Sequence, residues 1–203
     1  MNSKTLSILI LAAGASKRMG STIKQLLPWG NTTLLGHAIQ QAKALHLKTY
    51  AVLGAHADEI KSRTPNETGT FVNPNWEKGM GNSIAFGVGK VLQINPQTET
   101  ILIMLADQPL IHSTFLKALF EEYQKQGIGI AATAYPNKRV GVPAVFSAPY
   151  FSNLLGLNED KGARQLLNAK NENIVTIPIG EKGVDIDTIE DYNALLASKK
   201  PEE

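Results

Sequence analysis

Four residues are placed to do phosphate chemistry: Arg18, Lys24, Asp107 and Asp187. Arginine grips anionic oxygens with a planar fork, and lysine meets them with a mobile point charge. Aspartate is a usual protein ligand of a Mg²⁺ ion that also binds phosphate oxygens. Arg18 and Lys24 follow a branched apolar run that ends at Leu11, after which Ala12, Ala13 and Gly14 take over at once. Small side chains let a ligand approach the backbone, and bare N–H groups in such a loop cradle an anion that nearby cations strengthen. Lys17 belongs to the same basic loop, but adjacent side chains rarely point the same way. The plain alternative is an ordinary glycine turn, which Gly14 and Gly20 alone would not exclude. Three cations within the ten residues after Gly14 favour an anion site, a buried strand feeding a triphosphate-binding loop.

The spacing argues against two familiar phosphate loops. Gly14-Ala15-Ser16-Lys17-Arg18-Met19-Gly20 does not fit G-x-G-x-x-G, and the second apolar run, Tyr50 to Leu53, ends in Gly54-Ala55-His56 without an acid for a ribose. That speaks against a nicotinamide enzyme. No G-x-x-x-x-G-K-[ST] occurs, which speaks against a P-loop.

Each acid has a bland alternative. Asp107 follows an apolar strand, where a metal role and a turn aspartate before Pro109 are equally open. Asp187 precedes a helix whose first turn holds Glu190 and Asp191, so it could cap that helix. Thr188 could instead cap while Asp187 faces a metal. Gly79, Asn82 and Ser83 open another helix: Asn82 suits a nucleobase edge as well as it suits an N-cap. Asp160, Lys161 and Arg164 lie at a helix start, where a substrate role competes with a solvated surface.

The elements that must position these residues alternate. Strands are expected at Ser7–Leu11, Tyr50–Leu53, Thr70–Val72, Thr100–Leu105, Gly129–Ala134, Pro143–Ser147 and Ile174–Ile177. Helices are expected at Thr33–Leu45, Ala57–Lys61, Asn82–Leu92, Thr114–Lys125, Ala163–Asn168 and Thr188–Ala197. Leu34, Leu35, Ala38, Ile39, Ala42 and Leu45 fall at helical spacing, and Ser113 or Thr114 can cap the fourth helix. Strand–helix alternation predicts an α/β fold with a mostly parallel sheet. The uniformly apolar Ile101 to Leu105 predicts a central strand. Ligands of open α/β sheets sit outside the strands' carboxyl ends, where both Asp107 and the Gly14 loop would lie.

The pattern L-A-A-G-x-S-x-R-M-G-x-x-x-K-x-L-L-P resembles the molybdenum cofactor nucleotidyltransferase family, and within it the molybdenum cofactor cytidylyltransferases. The resemblance runs from residue 8 to about residue 193. It recurs in Asn73-Pro74-Asn75-Trp76 with Gly79-Met80-Gly81-Asn82-Ser83, and in Leu105-Ala106-Asp107-Gln108-Pro109. It recurs again in Gly141-Val142-Pro143, in Asp160-Lys161-Gly162-Ala163-Arg164, and in Asp185-Ile186-Asp187-Thr188. It implies a single-domain, Rossmann-like α/β fold of nucleotide-diphospho-sugar transferase type, with a twisted, mostly parallel sheet flanked by helices. The implied reaction moves CMP from CTP to the terminal phosphate of molybdopterin and releases pyrophosphate. The implied cofactor is Mg²⁺, held by Asp107 and Asp187, with Arg18 and Lys24 completing the catalytic set. Leu11, Ala12, Ala13, Gly14, Lys24, Gly79, Asn82, Ser83 and Asp107 would contact the nucleotide. Gln108, Pro143, Asp160, Lys161 and Arg164 would contact the pterin substrate, and a client molybdoenzyme is a further implied partner. Two departures stand out. Val142 occupies a position where the family often has histidine, which bears on the acceptor more than on the chemistry. Ile189 replaces a proline in the common D-T-P-E-D ending, a harmless change at a first helical turn.

Two alternatives remain open. One is nucleotidyl transfer to another phosphorylated small molecule, as by a GTP-using molybdopterin guanylyltransferase or a sugar- or alcohol-phosphate enzyme. The other is a non-catalytic cofactor carrier, which would need no metal pair. Bulk properties fit any of these. A chain of 203 residues is simply one domain, expected over 1–197 with a disordered tail at 198–203. A net charge of +2 without a basic, aromatic-laced stripe argues against nucleic acid. The lack of cysteine excludes disulfides and thiolate chemistry. His37, His46, His56 and His112 show no metal-ligand spacing. No signal-peptide pattern or long apolar run is seen, so a cytoplasmic location away from membranes is the default expectation.

Overall fold

The computed structural model describes residues 5–158, 162–168 and 173–198. The strands are β1 (Leu6–Ala12), β2 (Pro28–Trp29), β3 (Thr32–Thr33), β4 (Lys48–Leu53), β5 (Gly69–Val72), β6 (Thr100–Leu105), β7 (Ile130–Ala134), β8 (Val140–Ser147) and β9 (Ile174–Pro178). The helices are α1 (Leu34–Lys43), α2 (Ala57–Ser62), α3 (Met80–Ile94), α4 (Ser113–Gln126), α5 (Phe151–Leu155), α6 (Arg164–Asn168) and α7 (Ile189–Ser198). Seven strands build one sheet in the order β5-β4-β1-β6-β8-β7-β9, while β2 and β3 pair as a separate two-stranded ribbon. The sheet is parallel except at β8, which runs antiparallel to both β6 and β7.

Successive side chains of a strand face opposite ways, and β1 uses both faces for core. Ile8, Ile10 and Ala12 pack with Leu35, Ile39, Leu116 and Leu119 of α1 and α4. Leu9, Leu11 and Ala13 pack with Ile84, Val88 and Val91 of α3. Apolarity on both faces is what a parallel strand sandwiched between helix layers needs. The central β6 begins and ends at the expected residues, Thr100 and Leu105. A third apolar cluster joins Met19, Leu27, Trp29 and Leu34 to Ile186 and Tyr192. There the Tyr192 hydroxyl donates to the Pro28 carbonyl at 2.7 Å. This cluster docks α7 onto the loop that follows β1.

Several local expectations give way. β8 begins at Val140 rather than Pro143, and β2, β3 and α5 were not foreseen. Neither Ser113 nor Thr114 caps α4: its N-cap is His112, without a side-chain cap, and the Ser113 N–H donates instead to Gln41 Oε1 at 2.8 Å. α3 starts at Met80 behind Gly79, so Asn82 lies inside the helix and is not its cap. Thr188 does cap α7: its hydroxyl accepts from the Asp191 N–H at 3.1 Å. Asp160, Lys161 and residues 199–203 of the expected tail lie outside the described residues. Among those described, no helix is long and apolar enough to cross a membrane.

Candidate active site

The chain leaves β1 for β4 and β5 on one side and returns to β6 on the other. Where strand order reverses, the loops after neighbouring strands part and leave a crevice. A cavity of about 680 Å³ opens there, bounded by residues 11–18 after β1, residues 105–107 after β6, and the first turn of α3.

The β1 loop is held from behind by Gln25. Its side-chain amide, 4% exposed, donates to the carbonyls of Ala12 (3.0 Å) and Gly14 (2.9 Å). The Ser16 hydroxyl accepts from the Lys24 N–H at 3.2 Å and lies 3.4 Å from Gln25 Oε1. A Cβ on Gly14 would meet nothing within 4 Å, and its φ is not left-handed. Neither packing nor backbone conformation therefore asks for glycine at this position, and the space before it is open to a ligand.

The opposite wall is set by Asn73. It is 1% exposed, and its amide donates to Asn82 Oδ1 (3.1 Å) and Ser83 Oγ (3.2 Å). Gly79 sits at φ 100°, a conformation L side chains resist, and turns the chain into α3. Trp76 reaches the cavity because Gly54 lets it in: a Cβ there would lie 2.5 Å from Trp76 Cβ.

The two acids converge on one cation. Lys24 Nζ lies 2.5 Å from Asp107 Oδ2 and 3.5 Å from Asp187 Oδ1, while Arg18 pairs with Asp187 Oδ2 at 3.1 Å. Asp187 is brought across by α7, and the Ile186 N–H donates to the Asp107 carbonyl at 3.0 Å. Burial pushes the Asp107 carboxyl up, Lys24 opposes that, and Asp185 and Asp187 add to the rise. Asp107 Oδ1 is buried with no hydrogen-bond partner. An orphaned carboxylate oxygen beside a second carboxylate fits a hard divalent cation that completes its shell with phosphate oxygens and water. Among the described residues no three acids or histidines are placed to hold one metal ion together, so Asp107 and Asp187 would share the ion with phosphate oxygens and water.

A second cavity of about 280 Å³ shares Met80 and Leu105 with the first. Gln108, Asp185, Tyr135, Arg139 and Arg164 line it. Arg139 lies over the Tyr135 ring, 4.2 Å from its centroid, and 3.6 Å from Asp185. Burial raises the Tyr135 hydroxyl well above its usual range.

The structure thus brings Leu11, Ala12, Ala13, Gly14, Arg18, Lys24, Gly79, Ser83, Asp107 and Asp187 around one cavity. Lys17 lines it beside Arg18, against the expectation that only one of the two would. Asn82 does not line it; its carbonyl is turned to Asn73. Gln108 and Arg164 line the second cavity, whereas Pro143 lines neither. Sequence reasoning missed Gln25, Trp76, Tyr135 and Arg139. Gln25 carried one signal, a polar residue between the motif positions Lys24 and Leu26, and Trp76 another, its place in the Asn73-Pro74-Asn75-Trp76 motif; Tyr135 and Arg139 carried none.

A basic loop after β1, an acid after β6 and a second acid before the last helix meet in one charged cavity of an α/β protein. The sequence pattern of the MobA-like NTP transferase domain matches residues 8–174, and the chain belongs to that family. It is 32% identical over 198 residues to the nicotine blue oxidoreductase of Paenarthrobacter nicotinovorans, covering 93% of this chain and 95% of that protein. It is 30% identical over 128 residues to the bifunctional protein GlmU of Pseudomonas entomophila, covering 62% of this chain and only 27% of GlmU. The crystal structure of Rv0371c from Mycobacterium tuberculosis H37Rv in complex with manganese superposes with a TM-score of 0.80 at 26% identity, covering 96% of this chain and all of that one.

Proposed function

We propose that this chain transfers CMP from CTP to the terminal phosphate of molybdopterin, with Mg²⁺ as cofactor and pyrophosphate as leaving group. The observation that carries the reading is the meeting of Asp107 and Asp187 at one cation, in a cavity walled by the Gly14 loop. In this reading CTP lies in the larger cavity and the acceptor in the smaller. The shared wall of Met80 and Leu105 supports this arrangement, in which the acceptor phosphate would lie beside the α-phosphate. Asp107 and Asp187 hold the metal, which when bound neutralises phosphate charge and orients the triphosphate. The manganese bound to Rv0371c supports a divalent ion in this fold.

The chain's own residues do the rest. Gln25 and Ser16 keep the backbone of residues 12–14 facing the triphosphate. Lys24 and Arg18, released from their acids, neutralise its oxygens. An oxygen of the acceptor phosphate attacks the α-phosphorus, the bond to the β-phosphate oxygen breaks, and pyrophosphate leaves. A phosphate monoester is already anionic near neutral pH, with a second pKa of about 6, so no general base is required. Catalysis is then positioning and charge neutralisation. Gln108 and Arg164 line the acceptor side, and Val142 contributes apolar surface there in place of histidine. The test is pyrophosphate release from CTP, GTP and ATP, each with and without molybdopterin and Mg²⁺. Release only with CTP, the pterin and metal together supports the reading; binding without turnover supports the carrier.

The full-length likeness to nicotine blue oxidoreductase favours a second reading, a redox enzyme. Reduction of nicotine blue with an added electron donor, in the absence of nucleotide triphosphate, would support it.

A further inference from the structure

Gln108 links the loops that carry the two acids. Its side-chain nitrogen donates to Asp185 Oδ1 at 2.7 Å and to the Tyr135 hydroxyl at 2.7 Å. A carboxylate can only accept, so the amide is locked with its NH₂ toward Asp185. The Tyr135 hydroxyl, accepting from Gln108, donates onward to the Val142 carbonyl. Gln108 is 5% exposed, so this chain of bonds is shielded from competing water. In sequence Gln108 is next to Asp107, and Asp185 is two residues before Asp187. Between them Ile186, fully buried, fixes its N–H on the Asp107 carbonyl at 3.0 Å.

We infer that Gln108 is a positioning residue: its amide, clamped between Asp185 and Tyr135, sets the separation of Asp107 and Asp187 and so the affinity of that pair for a divalent cation. The segment of residues 183–188 has no strand or helix of its own to hold it. Two bonds tie it to the loop after β6, that of Ile186 and that between Gln108 and Asp185, while Arg139 pairs with Asp185 at 3.6 Å and Arg18 and Lys24 hold the Asp187 carboxylate. Without the second, the acid-bearing loop pivots about the first. Because Tyr135, Gln108 and Asp185 also line the smaller cavity, whatever fills that cavity bears on the same strut. The inference rests on the proposed metal role of Asp107 and Asp187.

The test uses the full chain with CTP and Mn²⁺, binding being read by electron paramagnetic resonance rather than by turnover. Gln108→Leu removes both bonds. Gln108→Glu sets a carboxylate against Asp185. Gln108→Glu combined with Asp185→Asn exchanges acid and amide and restores one bond in the reverse direction. Groups that orient metal ligands typically affect metal affinity about 10–100-fold. Both single variants should weaken Mn²⁺ binding about tenfold or more, with thermal unfolding still cooperative, and the exchanged pair should recover most of the loss. Unchanged Mn²⁺ affinity in the singles, or an exchanged pair no better than Gln108→Glu alone, overturns the inference. Asp107→Asn run in parallel tests the metal reading separately. If it leaves Mn²⁺ binding intact, the metal lies elsewhere, and a crystal structure of Gln108→Leu decides the strut. Asp187 displaced from Lys24 supports it; Asp187 still 3.5 Å away refutes it.

Discussion

Lys24 and Asp107, 83 residues apart in sequence, form an ion pair of 2.5 Å at the point where the strand order reverses. Only 16% of the lysine side chain and 21% of the aspartate's are exposed. Asp187 lies 3.5 Å from the same ammonium. The lysine therefore supplies the positive charge that two clustered acids require. In the proposed reaction that charge turns to the phosphate oxygens of the nucleotide.

Lys24→Ala should for that reason harm turnover more than CTP affinity. Removing one electrostatic contact to a transferring group costs about 10²–10³ in rate. Calorimetry with CTP and single-turnover pyrophosphate release separate the two effects. An unchanged rate would place Lys24 outside the chemistry.

Asp107→Asn and Asp187→Asn should each abolish metal-dependent pyrophosphate release with the fold intact. Asp185→Asn should keep turnover at saturating metal, because Asp185 contacts Gln108 and Arg139 and not the lysine that joins the other two acids. Turnover measured against Mg²⁺ concentration, with circular dichroism as control, ranks the three. An inactive Asp185→Asn beside an active Asp187→Asn would reverse the assignment.

The strands carrying this site were legible in the sequence because two-sided burial demands unbroken apolar runs, as in Thr100–Leu105. The direction of β8 was not, since a short apolar strand has the same composition whichever way it pairs. β2, β3 and α5 span two to five residues, too few for a period to show. Asn82 illustrates another limit. Its motif position suggested the cavity, but a buried amide at Asn73, nine residues earlier, claims its carbonyl. Tyr135 and Arg139 gain their places only when β7 and β8 fold back beside β6, which local patterning does not encode.

Gly14→Ala separates binding from folding. An alanine there meets no protein atom, and the backbone is already in a region open to it. Stability should stay level or rise by about 0.4–1 kcal/mol through a less flexible unfolded chain. CTP binding should weaken, because the methyl group enters the space before the loop. Urea unfolding and nucleotide titration of one preparation check both. Equal CTP affinity would show that the ligand does not approach this glycine.

Ala13 should favour the smaller base. It is 7% exposed, its carbonyl accepts from the Ala55 N–H at 3.1 Å, and its methyl group lies where glycine would leave room. CTP should bind more tightly than GTP. GTP binding as tight or tighter by calorimetry would refute this, and Ala13→Gly should narrow the gap.

The start of α7 links pH to the position of Asp187. Asp191 accepts from the N–H groups of Thr188 (2.8 Å) and Asp187 (3.1 Å), and Thr188 Oγ1 accepts in return from the Asp191 N–H. The Thr188 hydroxyl beside the Asp191 carboxyl, followed by the two N–H groups that donate to it, holds that carboxyl below its ordinary value. A carboxyl whose pKa is lower in the folded chain stabilises the fold above the unfolded value of about 3.9. That stabilisation is lost as the pH falls through the folded value. Asp191 lies near the surface, so solvent screening keeps the effect modest. Wild-type stability in urea should therefore decline below about pH 4 more steeply than that of Asp191→Asn, whose amide does not titrate. Thr188→Ala should cost about 0.5–2 kcal/mol, as the loss of a helix cap does. Both variants should also raise the Mg²⁺ concentration needed for half-maximal turnover: Asp191→Asn leaves the Asp187 N–H a weaker, uncharged acceptor, and Thr188→Ala frees the Asp191 backbone that carries that acceptor. If both lose stability but keep the wild-type Mg²⁺ requirement, the cap serves the helix alone and Asp187 is held by Arg18 and Lys24.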